Sequence, residues 1–281
     1  MDLTNQIVEL LRKTATQLPE DITIGLQEAY QKETNSTGKE ILNNILTNLE
    51  KAKSESKPIC QDTGIPIFYI KRPKNITEEE LTRDIIKATN IATEQVPLRP
   101  NAVDCISGEN KGNVPIIHFK ESNEPNKLMI KLILKGGGSE NISGIYKLPN
   151  QKLNAHRNLQ GVKKCIIDSI FQAQGKGCPP YIVGVAVGSC IEEVAHNSKQ
   201  QLLRKIDDKN ITPILEILEK KTLNELNKLN IGPLGLGGNS TCLGVKITSS
   251  ISHPASYFVG ISISCWALRK GTLKLSEEVK S

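Results

Sequence analysis

The sequence predicts an α+β fold, a helical N-terminal part packed on a β-rich core, and three observations predict it. Apolar residues recur at helical spacing through the first third of the chain. After Pro100 the texture changes to short apolar runs punctuated by Gly, Pro and Asn, as strands and turns require. No repeat of fixed period and no low-complexity linker breaks the 281 residues. One domain over residues 1–281 is therefore expected, with a helical subregion over about 1–95 and a mixed α/β core over about 96–281.

The elements follow in order. Ile41, Leu42, Ile45, Leu46 and Leu49 lie on one face of a helix over 39–54. A short strand over 65–70 leads away from the turn at Cys60. Thr77-Glu78-Glu79-Glu80 reads as a capping box opening a helix that carries Leu81, Ile85, Ala88 and Ala92 on one stripe. Residues 113–119 and 127–135 read as strands separated by a polar turn over 122–126, and Pro115 places the first at a sheet edge. Three glycines, Gly136, Gly137 and Gly138, follow the second strand. A helix over 160–174, a buried strand over 181–187, and helices over 191–203 and 213–229 come next. A second glycine loop over 232–238 precedes strands over 243–249 and 257–264.

Composition narrows the function classes. Net charge is +6, spread through lysine-rich helices, and only 4% of residues are aromatic, so platforms for stacking bases are scarce and nucleic-acid binding is not expected. No run of eighteen apolar residues exists and the start is acidic and polar, so no membrane span or signal peptide is expected and the chain is read as cytoplasmic. In a reducing cytosol, the seven cysteines are thiols or metal ligands in preference to disulfides.

Those cysteines include no Cys-x-x-Cys pair. A structural zinc site usually takes ligands in close pairs, because one hairpin presents two thiolates to one ion. Cys60, Cys178 and Cys265 instead lie singly at loop or strand ends, in Pro58-Ile59-Cys60-Gln61-Asp62, Gly177-Cys178-Pro179-Pro180 and Ser264-Cys265-Trp266. Three isolated thiolates suit a bulkier inorganic centre such as an iron–sulfur cluster, and three ligands instead of four would leave one iron open for a substrate. Cys165 falls on a helix among apolar neighbours and reads as core. Cys105, Cys190 and Cys242 read as packing residues.

Neither glycine loop is a phosphate-binding motif. Residues 136–141 lack Gly-Lys-Ser/Thr, and Ser240 stands where the dinucleotide fingerprint places its last glycine. Each loop is a tight turn or a backbone cradle for a carboxylate or a cluster sulfide. Arg99, between Leu98 and Pro100, is a cation in a stiff turn, suited to bidentate carboxylate binding or to a structural ion pair. His253, before Pro254, is a loop residue or a catalyst.

In order, Cys60-Gln61-Asp62-Thr63-Gly64, the 98–104 turn around Arg99, Lys135–Asn141, Cys178-Pro179-Pro180-Tyr181, residues 235–241 and His253-Pro254-Ala255 running to Cys265 resemble the class I, iron–sulfur fumarate hydratases and the related tartrate dehydratases. The resemblance spans nearly the whole chain and is that of the alpha subunit of the two-subunit form, or the N-terminal domain of the fused form. It implies a 4Fe–4S cluster on Cys60, Cys178 and Cys265. It also implies substrate contacts from Gln61, Asp62, Arg99, Gly137, Gly138 and His253, with Asp62 and His253 in catalytic roles. The implied activity is reversible hydration of fumarate to malate, a reaction of the tricarboxylic acid cycle, with the open iron as Lewis acid. The implied partner is a beta subunit that carries the base for the carbon-bound proton, in a heterotetramer built on an alpha–alpha dimer. Two other readings remain: a tartrate dehydratase alpha subunit, and a non-catalytic electron-transfer protein whose fourth ligand is Cys190 or Cys242.

Overall fold

The structure, a computed structural model, describes residues 2–276 except 123 and 125. Its helices are α1 (Leu3–Thr16), α2 (Glu20–Lys32), α3 (Ser36–Ser54), α4 (Glu78–Gln95), α5 (Gly137–Asn141), α6 (Leu159–Ala173), α7 (Ile191–Gln201) and α8 (Pro213–Asn227). Its strands are β1 (Ile65–Arg72), β2 (Ile116–Glu121), β3 (Lys127–Lys135), β4 (Gly144–Lys147), β5 (Tyr181–Gly188), β6 (Cys242–Ser249), β7 (Phe258–Ser264) and β8 (Arg269–Ser276). The fold is α+β, in two compact units: Met1–Pro19, Thr47–Gly137 and Arg269–Ser281 form one, Glu20–Leu46 and Gly138–Leu268 the other. The helices of the first third do not make a body of their own. α1 and α4 belong to the first unit, and α2 to the second.

The first unit is a four-stranded sheet in the order β2-β1-β3-β8, covered by α1 and α4. Phe68, Ile70, Leu128, Ile130, Leu132 and Leu134 meet Ile7 and Leu11 of α1 and Leu81, Ile85, Ala88 and Ala92 of α4 in one core. Burying each large apolar side chain stabilises the unit by about 1.5–3 kcal/mol. The capping box of α4 forms as expected: Thr77 Oγ1 accepts from Glu80 N–H at 3.2 Å, and the Glu80 carboxylate accepts from Thr77 N–H at 2.9 Å. β2 pairs in parallel with β1 and does not touch β3, because β1 lies between them. The polar turn expected over 122–126 falls partly outside the described residues.

The second unit is a sheet in the order β4-β7-β5-β6. Every residue of the central β5 is buried, as an apolar run without alternation implies. One face packs Tyr181, Val183, Val185 and Val187 against Val162, Ile166 and Ile170 of α6 and Leu215, Leu218 and Leu226 of α8. α7 covers the other face by close backbone approach. A Cβ at Gly184 would lie 2.2 Å from Ser198 O, and one at Gly260 would lie 2.3 Å from Val194 O, so only glycine fits either site.

Candidate active site

In the first unit, candidates gather on the turn between α3 and β1. Ile59 anchors that turn: its N–H donates to Ala15 O at 2.9 Å and its carbonyl accepts from Asn48 Nδ2 at 2.9 Å. Cys60 follows, half-buried, then Gln61, exposed. The Asp62 carboxylate is fixed by two backbone donors, Gly64 N–H to Oδ1 at 3.0 Å and Gly137 N–H to Oδ2 at 2.9 Å. A carboxylate so held keeps its direction and, when ionised, can only accept further hydrogen bonds.

Thr63 and two asparagines tie this turn to Arg99. Thr63 Oγ1 accepts from Arg99 N–H at 3.1 Å and from Asn101 Nδ2 at 3.2 Å. The Arg99 carbonyl accepts from Asn113 Nδ2 at 3.1 Å, and Asn113 Oδ1 accepts from Asn101 N–H at 3.3 Å. The Arg99 backbone is thus held on both sides while its side chain is exposed and makes no ion pair among the described residues. Of the two roles its turn suggested, the structural ion pair is not the one present.

The Gly137 N–H is taken up by Asp62 Oδ2, so this glycine supports the carboxylate. Gly138 belongs to the second unit, where it lines a cavity with Asn141, Ser143, Tyr146 and Lys176.

The second unit brings Cys178 and Cys265 to one end of its inner strands, where β5 begins and β7 ends; Ile182 pairs with Ser264. Trp266 N–H donates to the Cys178 carbonyl at 3.2 Å, and Leu234 N–H to the Pro179 carbonyl at 2.8 Å. Cys178 has φ +60°, a left-handed conformation that costs an ordinary L-residue roughly 1–2 kcal/mol and persists where its surroundings impose it. The buried Tyr181 does much of the imposing. Its phenol donates to Gln174 O at 2.6 Å and accepts from Gly177 N–H at 3.1 Å, and burial pushes that phenol up to about 12. Cys178 is exposed and Cys265 half-buried.

The second glycine loop does cradle a carboxylate, and the carboxylate is the chain's own. Glu33, at the end of α2, accepts from Asn239 N–H at 2.9 Å, Ser240 N–H at 3.1 Å and Asn35 N–H at 3.1 Å. Burial pushes the Glu33 carboxyl up, but these backbone donors outweigh it and hold it below the usual range.

His253 does not join the cysteine pair. It is exposed on the loop before β7, where Arg157 donates to the Pro254 and Ala255 carbonyls. Cys265 lies past the other end of the seven-residue β7, about 20 Å away at strand rise. Nor does another cysteine complete a four-ligand set in the second unit. Cys190 caps α7 beyond the far end of β5, and the Cys242 thiol is buried in the core, its pKa raised by that burial. Cys165 is likewise core, its thiol pushed up to about 12 by burial. Cys105 and Cys190 are exposed, so their expected packing role is corrected. Among the described residues no three His, Cys, Asp or Glu side chains stand together as a metal site.

Residues 4–274 match the fumarate hydratase (Fumerase) family. The chain belongs to that family. A full-length relative in Methanocaldococcus jannaschii, provisionally named an L(+)-tartrate dehydratase subunit alpha, is 38% identical over 290 residues, covering all of both chains. The L(+)-tartrate dehydratase subunit alpha of Escherichia coli K12 is 33% identical over 96% of this chain and 90% of its own. A Geobacillus stearothermophilus protein provisionally named a class I fumarate hydratase is 38% identical over 95% of this chain, which spans only 54% of that relative's length. Membership places the chain in a hydro-lyase family. Among the described residues no helix is long and apolar enough to cross a membrane.

Sequence reading did not single out Thr63, Asn113 or Arg269. Arg269 carried a signal: it is in phase with Leu273 and Leu275, both packed against the first core, so strand alternation turns it inward.

Proposed function

We propose that the chain is the alpha-type half of a fumarate hydratase, interconverting fumarate and malate with a 4Fe–4S cluster on Cys60, Cys178 and Cys265. The observation that carries this reading is the corner in the first unit of a hydro-lyase family member. There one turn carries a thiol and a carboxylate locked on backbone N–H groups, and its Thr63 hydrogen-bonds the backbone of Arg99, whose guanidinium is exposed. The donor set fits the cluster in chemistry, since the three thiols keep solvent access on turns while Cys165 and Cys242 are sealed in the core. When bound, such a cluster supplies a Lewis-acidic iron that helps hydroxide depart without net redox.

The chain's own residues bind and orient. Arg99 offers two parallel donors to one carboxylate of the dianion. Asp62, an acceptor held by Gly64 and Gly137, receives the hydrogen bond of the malate hydroxyl and fixes its direction. The Gln61 amide supports a carboxylate from the exposed side of the turn. His253 takes no part within one copy of the chain, because it lies at the wrong end of β7.

The base for the carbon-bound proton is assigned to a beta subunit. Relatives that match over nearly their full length are named alpha subunits, and the Geobacillus relative is nearly twice as long as the part matched. Two alpha and two beta chains, joined through an alpha–alpha contact in the cytoplasm, complete the reading. A tartrate dehydratase alpha subunit is the second reading, favoured by the full-length tartrate-named relative. The Arg99–Asp62 corner serves any 2-hydroxy dicarboxylate. The test is anaerobic reconstitution with the partner chain and iron and sulfide, comparing kcat/KM for malate and L(+)-tartrate. A malate preference of at least about tenfold, 1.4 kcal/mol, supports fumarate hydration. A tartrate preference replaces it with the second reading, and turnover of neither rejects both.

A further inference from the structure

The largest fully buried side chain is a charged one. Arg269, the first residue of β8, is 1% exposed and pairs across the sheet with Leu134. Its Nη1 donates to the Asp62 carbonyl at 2.5 Å. Its Nε is buried with no hydrogen-bond partner, and no carboxylate lies within ion-pair distance among the described residues. A guanidinium removed from water without a paired anion is costly, so a structural clamp on one carbonyl does not account for it; a neutral donor would serve. Gly136 shows where the charge faces. A Cβ there would lie 3.1 Å from Asp62 Oδ2 and 3.6 Å from Arg269 Nη2, so the carboxylate and the guanidinium flank the space over this glycine.

Resting on the dicarboxylate reading above, we infer that Arg269 is a positioning residue of that site. It clamps the Cys60–Gly64 turn through the Asp62 carbonyl and supplies a buried positive charge that the bound dianion offsets. It therefore serves both orientation and affinity, while Arg99 makes the direct contact.

The experiment uses the full chain assembled with its partner and cluster, in wild-type, Arg269→Met and Arg269→Lys forms. The readouts are steady-state kinetics and the rise in melting temperature on adding succinate, a dicarboxylate that cannot be dehydrated. Arg269→Met is expected to raise KM for the 2-hydroxy dicarboxylate at least about tenfold, lower kcat, and abolish the succinate-induced rise. Arg269→Lys keeps the charge and loses the planar fork, so KM is expected to stay within about threefold while kcat falls about tenfold or more. Wild-type KM and succinate response in Arg269→Met reduce Arg269 to a structural clamp and overturn the inference. Where Arg269→Met fails to assemble, an unchanged kcat in Arg269→Lys overturns it. Wild type with neither turnover nor a succinate response removes the dicarboxylate reading, and this inference with it.

Discussion

At Arg99 the amide and the carbonyl are both taken, by Thr63 and Asn113, while the guanidinium extends into solvent. Replacing it by Met keeps bulk and removes the paired donors. kcat/KM is expected to fall about 10²-fold, or about 2.7 kcal/mol, with cluster content unchanged in the visible spectrum; wild-type kinetics would make Arg99 a surface residue. Glu33 is the structural counterpart, a carboxylate spent on backbone. Its depressed acidity means that its contribution to stability is complete above the ordinary Glu range and is lost as pH falls through its lowered folded value. Glu33→Gln is expected to cost about 1.5–3 kcal/mol at neutral pH and to flatten stability against pH in that acid window, read by urea melts. An equally steep acid loss in the variant would refute this. At this scale the sequence could be read well where a residue stood in a turn with Pro or Gly. It could not show that Glu33 completes the second glycine loop, because that partner lies some two hundred residues away in the chain.

The elements that ran true to local pattern were those with a complete local signal: the capping box of α4, the apolar stripe of α3 and the unalternating run of β5. β8 and β4 were missed. β8 alternates lysine and leucine without flanking turn residues of the usual kind, and its place beside β3 depends on pairing with a strand over a hundred residues earlier. His253 stands at the opposite end of β7 from Cys265, because an extended strand separates residues faster than any other element. The close fit of α7 is testable directly. Gly260→Ala sets a methyl 2.3 Å from the Val194 carbonyl, against backbone that cannot yield, and should cost about 1–3 kcal/mol or more. The check is a lower urea midpoint at unchanged m-value; an unchanged midpoint would mean that α7 packs more loosely than described. At the start of the central strand of the same sheet, Tyr181→Phe removes the phenol that Gly177 and Gln174 share. It should destabilise by about 1–3 kcal/mol and slow cluster loading, since the Cys178 turn then lacks its brace.

On the scale of the whole molecule, each unit folds around its own core, and each carries part of the proposed donor set. Function at this scale rests on the family and on the partner chain proposed above. The general base must lie within about 3 Å of a carbon-bound proton, and the proposed reading assigns that base to a partner chain and gives the residues gathered here the binding of a dianion. The most direct test is the interconversion of malate and fumarate under strict anaerobiosis, by the cluster-loaded chain alone and with its partner, at matched iron, beside Cys60→Ser, Cys178→Ser and Cys265→Ser. The account predicts turnover only in the wild-type pair, with cluster absorbance lost in each of the three variants and retained in Cys165→Ser. Full cluster content in Cys178→Ser, or turnover by the lone chain at the rate of the pair, would contradict it.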